Sequence, residues 1–514
     1  MKGRRVLATT ILGSSLAFID GSVVNVALPA IQSDLDTTVT GAQWVINAYL
    51  LMLSALILVG GAAGDRFGRR RMFAIGVTVF TAASVACGMA PSTSVLIASR
   101  TAQGIGGALL VPSSLAIISA TFPEEKRGRA IGTWAGFSAL TTAVGPVLGG
   151  WLVDVWSWRL IFYVNVPVAA VALALSRGIP ETRDDSQGPV DWAGALLALL
   201  GLGAIVEGLT AAARVGWGQP AVFGPLIAGG IILALFLRHE SRAAAPMVPL
   251  DLFQARAFAG ANAMTFFLYF AMSGAMFFLP FNLIRVQHYS ATLAGAAFLP
   301  FTLMMGGLSR WSGGLADRHG ARLPLTLGPL IAGTGLALLA VPGIGATYWT
   351  TFFPAMLALG LGMAVSVAPL TSTVMGAVPE RHAGAASGIN NAVARLAGLM
   401  AVAVLGTLAV EVFAGSLAEQ LAVPQVPQSL REALLREAPR LAEARVPAQA
   451  GELRPALETA LARSFVASYR VVMLVAAGLA VLSAVCAWAT AQGLSSKLTS
   501  TAPSGGSSRP PTEA

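Results

Sequence analysis

Gly61-Ala-Ala-Gly-Asp65-Arg66-Phe-Gly68-Arg69-Arg70-Arg71 returns in the second half of the chain as Gly313-Gly-Leu-Ala-Asp317-Arg318-His-Gly320-Ala-Arg322. Each copy occupies a short break between two long apolar runs. A carboxylate at a helix end, followed by Arg and a turn glycine, suits a charge-assisted latch. The Asp can meet the positive N-terminus of a neighbouring helix while the arginines hold the membrane surface. One copy alone is only a tight basic turn, but two copies at matching places in the two halves mark an internal duplication.

Outward from these loops the chain is apolar almost everywhere. Its 514 residues are 55% hydrophobic and 11% charged, with a mean hydropathy of +0.71, where soluble domains carry about 25% charged residues. A spanning helix takes about 20 apolar residues. Such runs fall at 6–31, 41–63, 72–90, 94–119, 129–153, 159–177, 191–211, 220–237, 257–284, 290–312, 323–341, 347–373, 384–413 and 469–491, which makes fourteen spans and puts both termini on one side. About 21 of the 33 Lys and Arg fall in segments on that side, so the N-terminus is expected in the cytoplasm. Lys2, Arg4 and Arg5 precede a first run too long for a signal-peptide core, which reads as an uncleaved span.

The net charge of +9 is thus a matter of membrane topology, with no nucleic-acid partner implied. Cys87 and Cys486 lie in separate apolar runs and offer neither a disulfide framework nor a metal cluster. The 414–468 segment, containing PQSLREALLREAPRLAEARV, is amphipathic and falls between the last two spans, where it predicts a helical hairpin on the outer face as either a lid or a solvated spacer. Residues 493–514 are rich in Ser, Thr, Gly and Pro and predict a disordered cytoplasmic tail.

Further segments repeat the pattern of the latch loops. The fourth span carries Arg100-Thr-Ala-Gln103-Gly104-Ile-Gly106-Gly107-Ala108, and the fifth carries Gly132 and then Gly145-Pro146-Val-Leu-Gly149-Gly150. Phe18-Ile-Asp20-Gly-Ser-Val-Val-Asn25-Val-Ala-Leu-Pro29 lies in the first span, and Trp158-Arg159-Leu-Ile-Phe-Tyr-Val-Asn165-Val-Pro167 opens the sixth. Together these resemble the fourteen-span drug:H⁺ antiporter branch of the major facilitator superfamily over residues 6 to about 491. Departures are Ala63 for a Leu, Thr141 for a Gly, and Gly21 where Thr is common.

The resemblance implies an all-α polytopic membrane protein: six-helix bundles at 1–178 and 257–491, two additional spans at 191–238, and a central cavity. It also implies a monomer in the bacterial inner membrane that expels amphiphilic small molecules in exchange for protons, with or without a periplasmic adaptor. An importer of the same fold or an exporter of one metabolite is the nearest alternative. The Gly-Pro span is the feature the family associates with exporters; small residues let helices approach and a proline removes one backbone bond, which suits a hinge.

Ionisable residues inside spans are costly and usually mark function. Asp20 and Arg100 are both expected about 9 Å below the outer face, counted at 1.5 Å per residue through a core of about 30 Å. In the fold the chain resembles, the first and fourth spans both line the cavity, and this resemblance implies that the two residues are near neighbours. Burial favours the neutral acid and a nearby Arg the charged one, so substrate entry that upsets this balance would move a proton. Glu207 reaches a similar depth. Arg395 falls near mid-span four residues after Asn391, with Asn390 beside it, so Asn391 and Arg395 share one helix face. That face should meet the cavity or an acid, and Arg395 argues against a purely cationic substrate. The aromatics Phe266, Phe267, Tyr269, Phe270, Phe277 and Phe278 read mainly as packing, and Trp44, Trp156, Trp158 and Trp349 as interfacial anchors. No phosphate-binding loop is visible, and His239, His288, His319 and His382 are too scattered for a metal or nucleophile site. No catalytic residue, metal or cofactor is expected, the proton gradient supplying the work; a membrane enzyme or sensor is the remaining alternative.

Overall fold

The computed structural model describes residues 2–183, 190–244, 246–378, 383–424 and 426–490, and these are helices joined by short turns. Side chains within several stretches of helix, chiefly 124–129, 313–319 and 383–385, also lie outside the description. So does the 493–514 tail.

Twelve helices among the described residues are long and apolar enough to cross a membrane. In chain order the helices are α1 (Lys2–Asp34), α2 (Val39–Phe67), α3 (Arg69–Gly88), α4 (Thr93–Thr121), α5 (Glu124–Val155), α6 (Leu160–Tyr163), α7 (Asn165–Ser176), α8 (Trp192–Val215) and α9 (Pro220–Glu240). They continue as α10 (Arg256–Phe281), α11 (Ala291–Ala296), α12 (Leu299–His319), α13 (Arg322–Leu339), α14 (Phe352–Gly376), α15 (Ala383–Leu421), α16 (Gln428–Arg436) and α17 (Arg454–Thr490).

The fifth expected span is the 32-residue α5, of which Val144–Val155 counts as an apolar helix among the described residues. The sixth is the short Leu160–Ser176, broken between α6 and α7. Pro167 explains the break: it has no N–H for the carbonyl of Tyr163 one turn back. Pro300 does the same at the α11/α12 junction, where the carbonyl of Ala296 loses its helical partner.

In the first half α4 packs against α2 and α3, and α1 against α5 and α7; in the second, α14 packs against α12 and α13, and α17 against α10 and α13. α8 pairs with α9 and leans on α2 and α15. α9 turns Ile227, Ile231 and Leu235 outward, as a lipid-facing helix would. The halves meet where α2 packs on α15 and α5 on α11. Small residues make the tightest crossings. A Cβ on Gly104 would fall 2.6 Å from the carbonyl oxygen of Tyr49, and one on Gly360 2.6 Å from that of Phe301, the same closure in each half.

The 414–468 segment is neither a free hairpin nor a solvated spacer. α15 and α17 extend into it, and α16 buries Leu430 and Leu434. Arg440 reaches the first half, with its guanidinium 2.6 Å from Asp36 and its carbonyl accepting from Gln32 at 2.9 Å. Glu443 pairs with Arg285 of the second half. The cap therefore straddles both halves on the face opposite the N-terminus. Arg440 holds the Asp36 carboxyl below its usual range, whereas burial pushes the Glu443 carboxyl up against the pull of Arg285. Trp156 and Trp349 are exposed and Trp44 half-buried. Trp158 corrects the reading as an anchor: it is buried and donates its Nε1–H to Asp34 at 2.9 Å.

Candidate functional site

Asp20 of α1 and Arg100 of α4 are in contact, 2.5 Å apart, and both side chains are 1% exposed or less. α4 places Gln103 one turn beyond Arg100, and its amide completes the set: Nε2 donates to the other Asp20 oxygen at 2.8 Å while Oε1 accepts from Arg100 at 2.7 Å. Arg100 Nε donates to the carbonyl of Val45 at 3.0 Å, and its guanidinium lies 4.3 Å over the Tyr49 ring. Gln103 Nε2 also donates to Ser84, which donates to the Phe162 carbonyl and accepts from Asn165. Six helices of the first half, α1 to α4, α6 and α7, thus contribute to the network around one buried, internally satisfied ion pair. At an effective dielectric of 20 two such charges attract by about 4 kcal/mol at 4 Å, so removing either charge leaves its partner in serious deficit.

The other intramembrane candidates are not in that cluster. Asn390 donates to Asn262 and Thr265, tying α15 to α10. Asn391 is exposed and Arg395 half-buried. Arg395 is not among the hydrogen-bond partners of Asp20, Arg100 or Gln103. Glu207 lies half-buried on α8.

The Gly-Pro segment of α5 lies between α1 and the second half. Gly145 and Gly149 face α1, where a Cβ would meet Ser22 Oγ at 2.0 Å and Val23 at 2.3 Å. Gly150 faces α11, where a Cβ would lie 2.1 Å from the Ala291 carbonyl oxygen; Gly295 of α11 faces Pro146 at 2.0 Å. Asp154, one turn beyond, accepts from the backbone N–H of Ala291 and of Thr292 at 2.9 and 2.7 Å, and from the Thr292 hydroxyl. A carboxylate from one half thereby caps a helix of the other. Gly132 falls among the α5 residues whose side-chain surroundings are outside the description.

Residues 10–402 match the profile of the Major Facilitator Superfamily. The chain belongs to that superfamily. It is 36% identical to the Multidrug resistance protein Stp of Mycobacterium tuberculosis (strain CDC 1551 / Oshkosh), over 78% of this chain and 75% of that one. It is 36% identical to the Puromycin resistance protein pur8 of Streptomyces alboniger, over 80% and 83%. With the Tetracenomycin C resistance and export protein of Streptomyces glaucescens the identity is 34%, over 78% and 75%. Among solved structures, a bacterial homologue of the human lysosomal transporter Spinster, inward-facing and unoccupied, superposes with a TM-score of 0.68 over 95% of this chain and 97% of that one at 18% identity, which speaks for the fold alone. This major facilitator protein is a multi-pass membrane transporter of small molecules and not an enzyme.

Within the superfamily frame, the first latch loop departs from its expected wiring. Asp65 pairs with Arg69 four residues on, at 2.7 Å, and Arg66 is exposed beside Phe67. The acid that meets a helix N-terminus is Glu181, whose two oxygens accept from the N–H of Arg70 and of Arg71 at the start of α3, at 2.9 and 3.1 Å. Gly68 (φ 110°) and Gly320 (φ 74°) adopt the left-handed backbone that makes glycine the residue for these turns, and Gly61 packs near Pro112 of α4. Arg322 lies over the Trp488 ring at 5.4 Å. The side chains of Asp317 and Arg318 are outside the description. Sequence reasoning missed Asp154 and Glu181, which sit at span ends where acids are common. It also missed Tyr49, one aromatic among many. Gln103 was singled out as a motif member; its bidentate role depends on its lying one turn from Arg100.

Proposed function

We propose that this protein is a proton-coupled exporter of amphiphilic small molecules, working by alternating access across the bacterial inner membrane. The observation that carries the reading is the buried Asp20–Arg100–Gln103 cluster, an ionisable group kept at a cost inside spanning helices. A proton on Asp20 removes the charge that Arg100 and Gln103 are arranged around. The helices that share the cluster must then repack, which links proton arrival to a change of shape.

The names of the drug-resistance relatives support export of drugs or related metabolites. The Gly145–Gly150 contact with α11, the Asp154 cap and the 426–453 cover all lie on the face opposite the N-terminus. They support a state closed to the outside, with Gly132 counted in the same hinge span and the two latch loops governing the cytoplasmic side. In this reading α5 and α6–α7 also cross the bilayer, giving fourteen spans in two six-helix bundles at 1–178 and 257–491 with the α8–α9 pair, at 191–238, between them. Both termini are cytoplasmic, the protein acts as a monomer, and the proton gradient is the energy source, with no bound cofactor. Everted vesicles from cells overproducing the protein test this. Dye or antibiotic uptake should depend on a pH gradient and vanish when it is collapsed; uptake indifferent to the gradient would overturn the proposal.

A further inference from the structure

On the N-terminal face of the bundle the stretch after α7 folds back across the start of α3, and arginines collect around the gap. The carbonyl of Ile179 accepts from Arg70 Nη1 at 3.2 Å and that of Thr182 from the N–H of Arg69 at 3.0 Å, which pins this stretch to α3. Glu181 is fully engaged there, its oxygens on the N–H groups of Arg70 and Arg71 and its carboxylate 3.6 Å from Arg70 Nε. The pinned segments enclose a cleft of about 800 Å³ whose lining holds Arg70, Arg71, Arg177 and Arg183 against the single acid Glu181, with Ala74 and Ile75 on its apolar side. Arg5 of α1 adds to the charge: its Nε donates to the Leu175 carbonyl at 3.2 Å, and its guanidinium presses on Gly178, where a Cβ would fall 2.2 Å from the guanidinium carbon. Arg71, Arg177 and Arg183 are exposed and have no side-chain hydrogen bond or ion pair among the described residues. Asp184 and Asp185, next along the chain, lie outside the description. Like charges gathered this closely favour a bound anion.

Beyond the arginines the surface turns apolar. Exposed positions follow one stripe of α3, through Arg71, Ile75, Thr78 and Ala82, and one of α7, through Ala170, Val171, Ala174 and Arg177. Thr78 returns its hydroxyl to the Ala74 carbonyl at 2.9 Å, so the α3 stripe carries no free polar group above its arginine. From Arg71 to Ala82 the helix rises about 16 Å, half of a hydrocarbon core of about 30 Å. Two neighbouring stripes, each one leaflet deep or less and each ending on an arginine at the membrane surface, match the build of a phospholipid.

We propose that this cleft binds one anionic phospholipid of the leaflet on the N-terminal side, its phosphate held by Arg71, Arg177 and Arg183 and its acyl chains laid on the α3 and α7 stripes. The proposal rests on the chain's spanning a membrane and is independent of what it exports. Arginine forks meet phosphate oxygens in paired hydrogen bonds, and basic pockets between spanning helices take such headgroups. A zwitterionic lipid brings a cation of its own to the same arginines, and a soluble phosphate has nothing to lay on Ile75 or Val171.

The test titrates detergent-purified full-length protein, stripped of co-purified lipid, with dioleoyl phosphatidylglycerol, dioleoyl phosphatidylcholine or glycerol phosphate, and follows the first bound molecule by native mass spectrometry. Wild type should bind the phosphatidylglycerol roughly ten-fold or more tightly than the phosphatidylcholine. Glycerol phosphate, the headgroup without its chains, should compete only at concentrations on the order of a hundred-fold higher, because it leaves the apolar stripes bare. Each of Arg71→Gln, Arg177→Gln and Arg183→Gln should weaken the phosphatidylglycerol about five-fold, and the three together on the order of a hundred-fold, with phosphatidylcholine little changed. Arg238→Gln, at an exposed arginine near the end of α9, should leave both lipids as they are.

Equal binding of the two lipids by wild type overturns the proposal, as does a folded triple variant that keeps the wild-type affinity for phosphatidylglycerol. Glycerol phosphate that displaces the lipid at equal concentration makes this a site for soluble anions and overturns the lipid assignment. If the triple variant does not fold, Ile75→Glu decides, since it brings an acid to the arginines and leaves all of them in place. It should weaken phosphatidylglycerol and spare phosphatidylcholine; an unchanged affinity for phosphatidylglycerol sinks the proposal.

Discussion

Replacing Gly150 by Ala probes the closure between the halves at its tightest point. The added Cβ would lie 2.1 Å from the Ala291 carbonyl oxygen, 2.5 Å from its carbon and 2.8 Å from Thr292 Cα. Ordinary contact begins at 3.4 Å, so α5 and α11 must part by about 1.3 Å if the substitution is to fit. No side chain can swing away, because every obstructing atom is backbone, and the Asp154 cap fixes the start of α11 one turn further on. Overpacking of this kind costs about 1–3 kcal/mol. The contact joins the two halves, so the cost falls only on the conformation in which they touch here, and the balance of conformations should move by roughly 5- to 150-fold. Spin labels at Trp156→Cys and Val341→Cys, both exposed on the face opposite the N-terminus, report the separation by double electron–electron resonance. Gly150→Ala should populate a longer distance and slow efflux. Gly224→Ala, with nothing within 4 Å of its Cβ, should do neither. A Gly150→Ala protein with the wild-type distance distribution and rate would refute the reasoning.

Asp20→Asn should abolish proton-coupled efflux and lower thermal stability, since it leaves Arg100 buried without its counter-charge at a cost of about 3–5 kcal/mol. Adding Arg100→Gln should restore stability without restoring coupling; undiminished coupling in Asp20→Asn would remove Asp20 from the mechanism. Gly68→Ala must hold φ at 110° with its Cβ 2.7 Å from the Glu181 carboxyl carbon, so its melting temperature should fall further than that of Gly216→Ala, which has φ 81° but open space. The cap over 426–453 should loosen at both ends of the pH scale, as read by amide exchange in α16. The lowered Asp36 carboxyl contributes fully above its ordinary 3.8 and fails as pH falls through its folded-state value, so Asp36→Asn should flatten the acid limb. The raised Glu443 carboxyl contributes below its ordinary 4.5 and fails as pH rises through its folded-state value, so Glu443→Gln should flatten the other limb.

The sequence by itself determined the spanning helices, the duplicated latch loops and the depths of the charges. These are one-dimensional quantities: run length times rise per residue, measured against a slab of fixed thickness. Asp20 and Arg100 were legible as a pair because equal depths matched them and the resembled fold sets the first and fourth spans on one cavity. Partnership was another matter, since these helices are apolar on nearly all sides and their periodicity does not say which face meets which neighbour. Only the packed bundle placed Gln103 against the second oxygen of Asp20, gave the α3 N-terminus to Glu181 instead of Asp65, and set Asp154 across the gap onto α11. It also decided that Trp158 is buried on Asp34, and that the segment before α17 is clamped to both halves. Each of these contacts depends on helix rotation and on partners far apart along the chain, and a rotation about the helix axis leaves no trace in run length or composition.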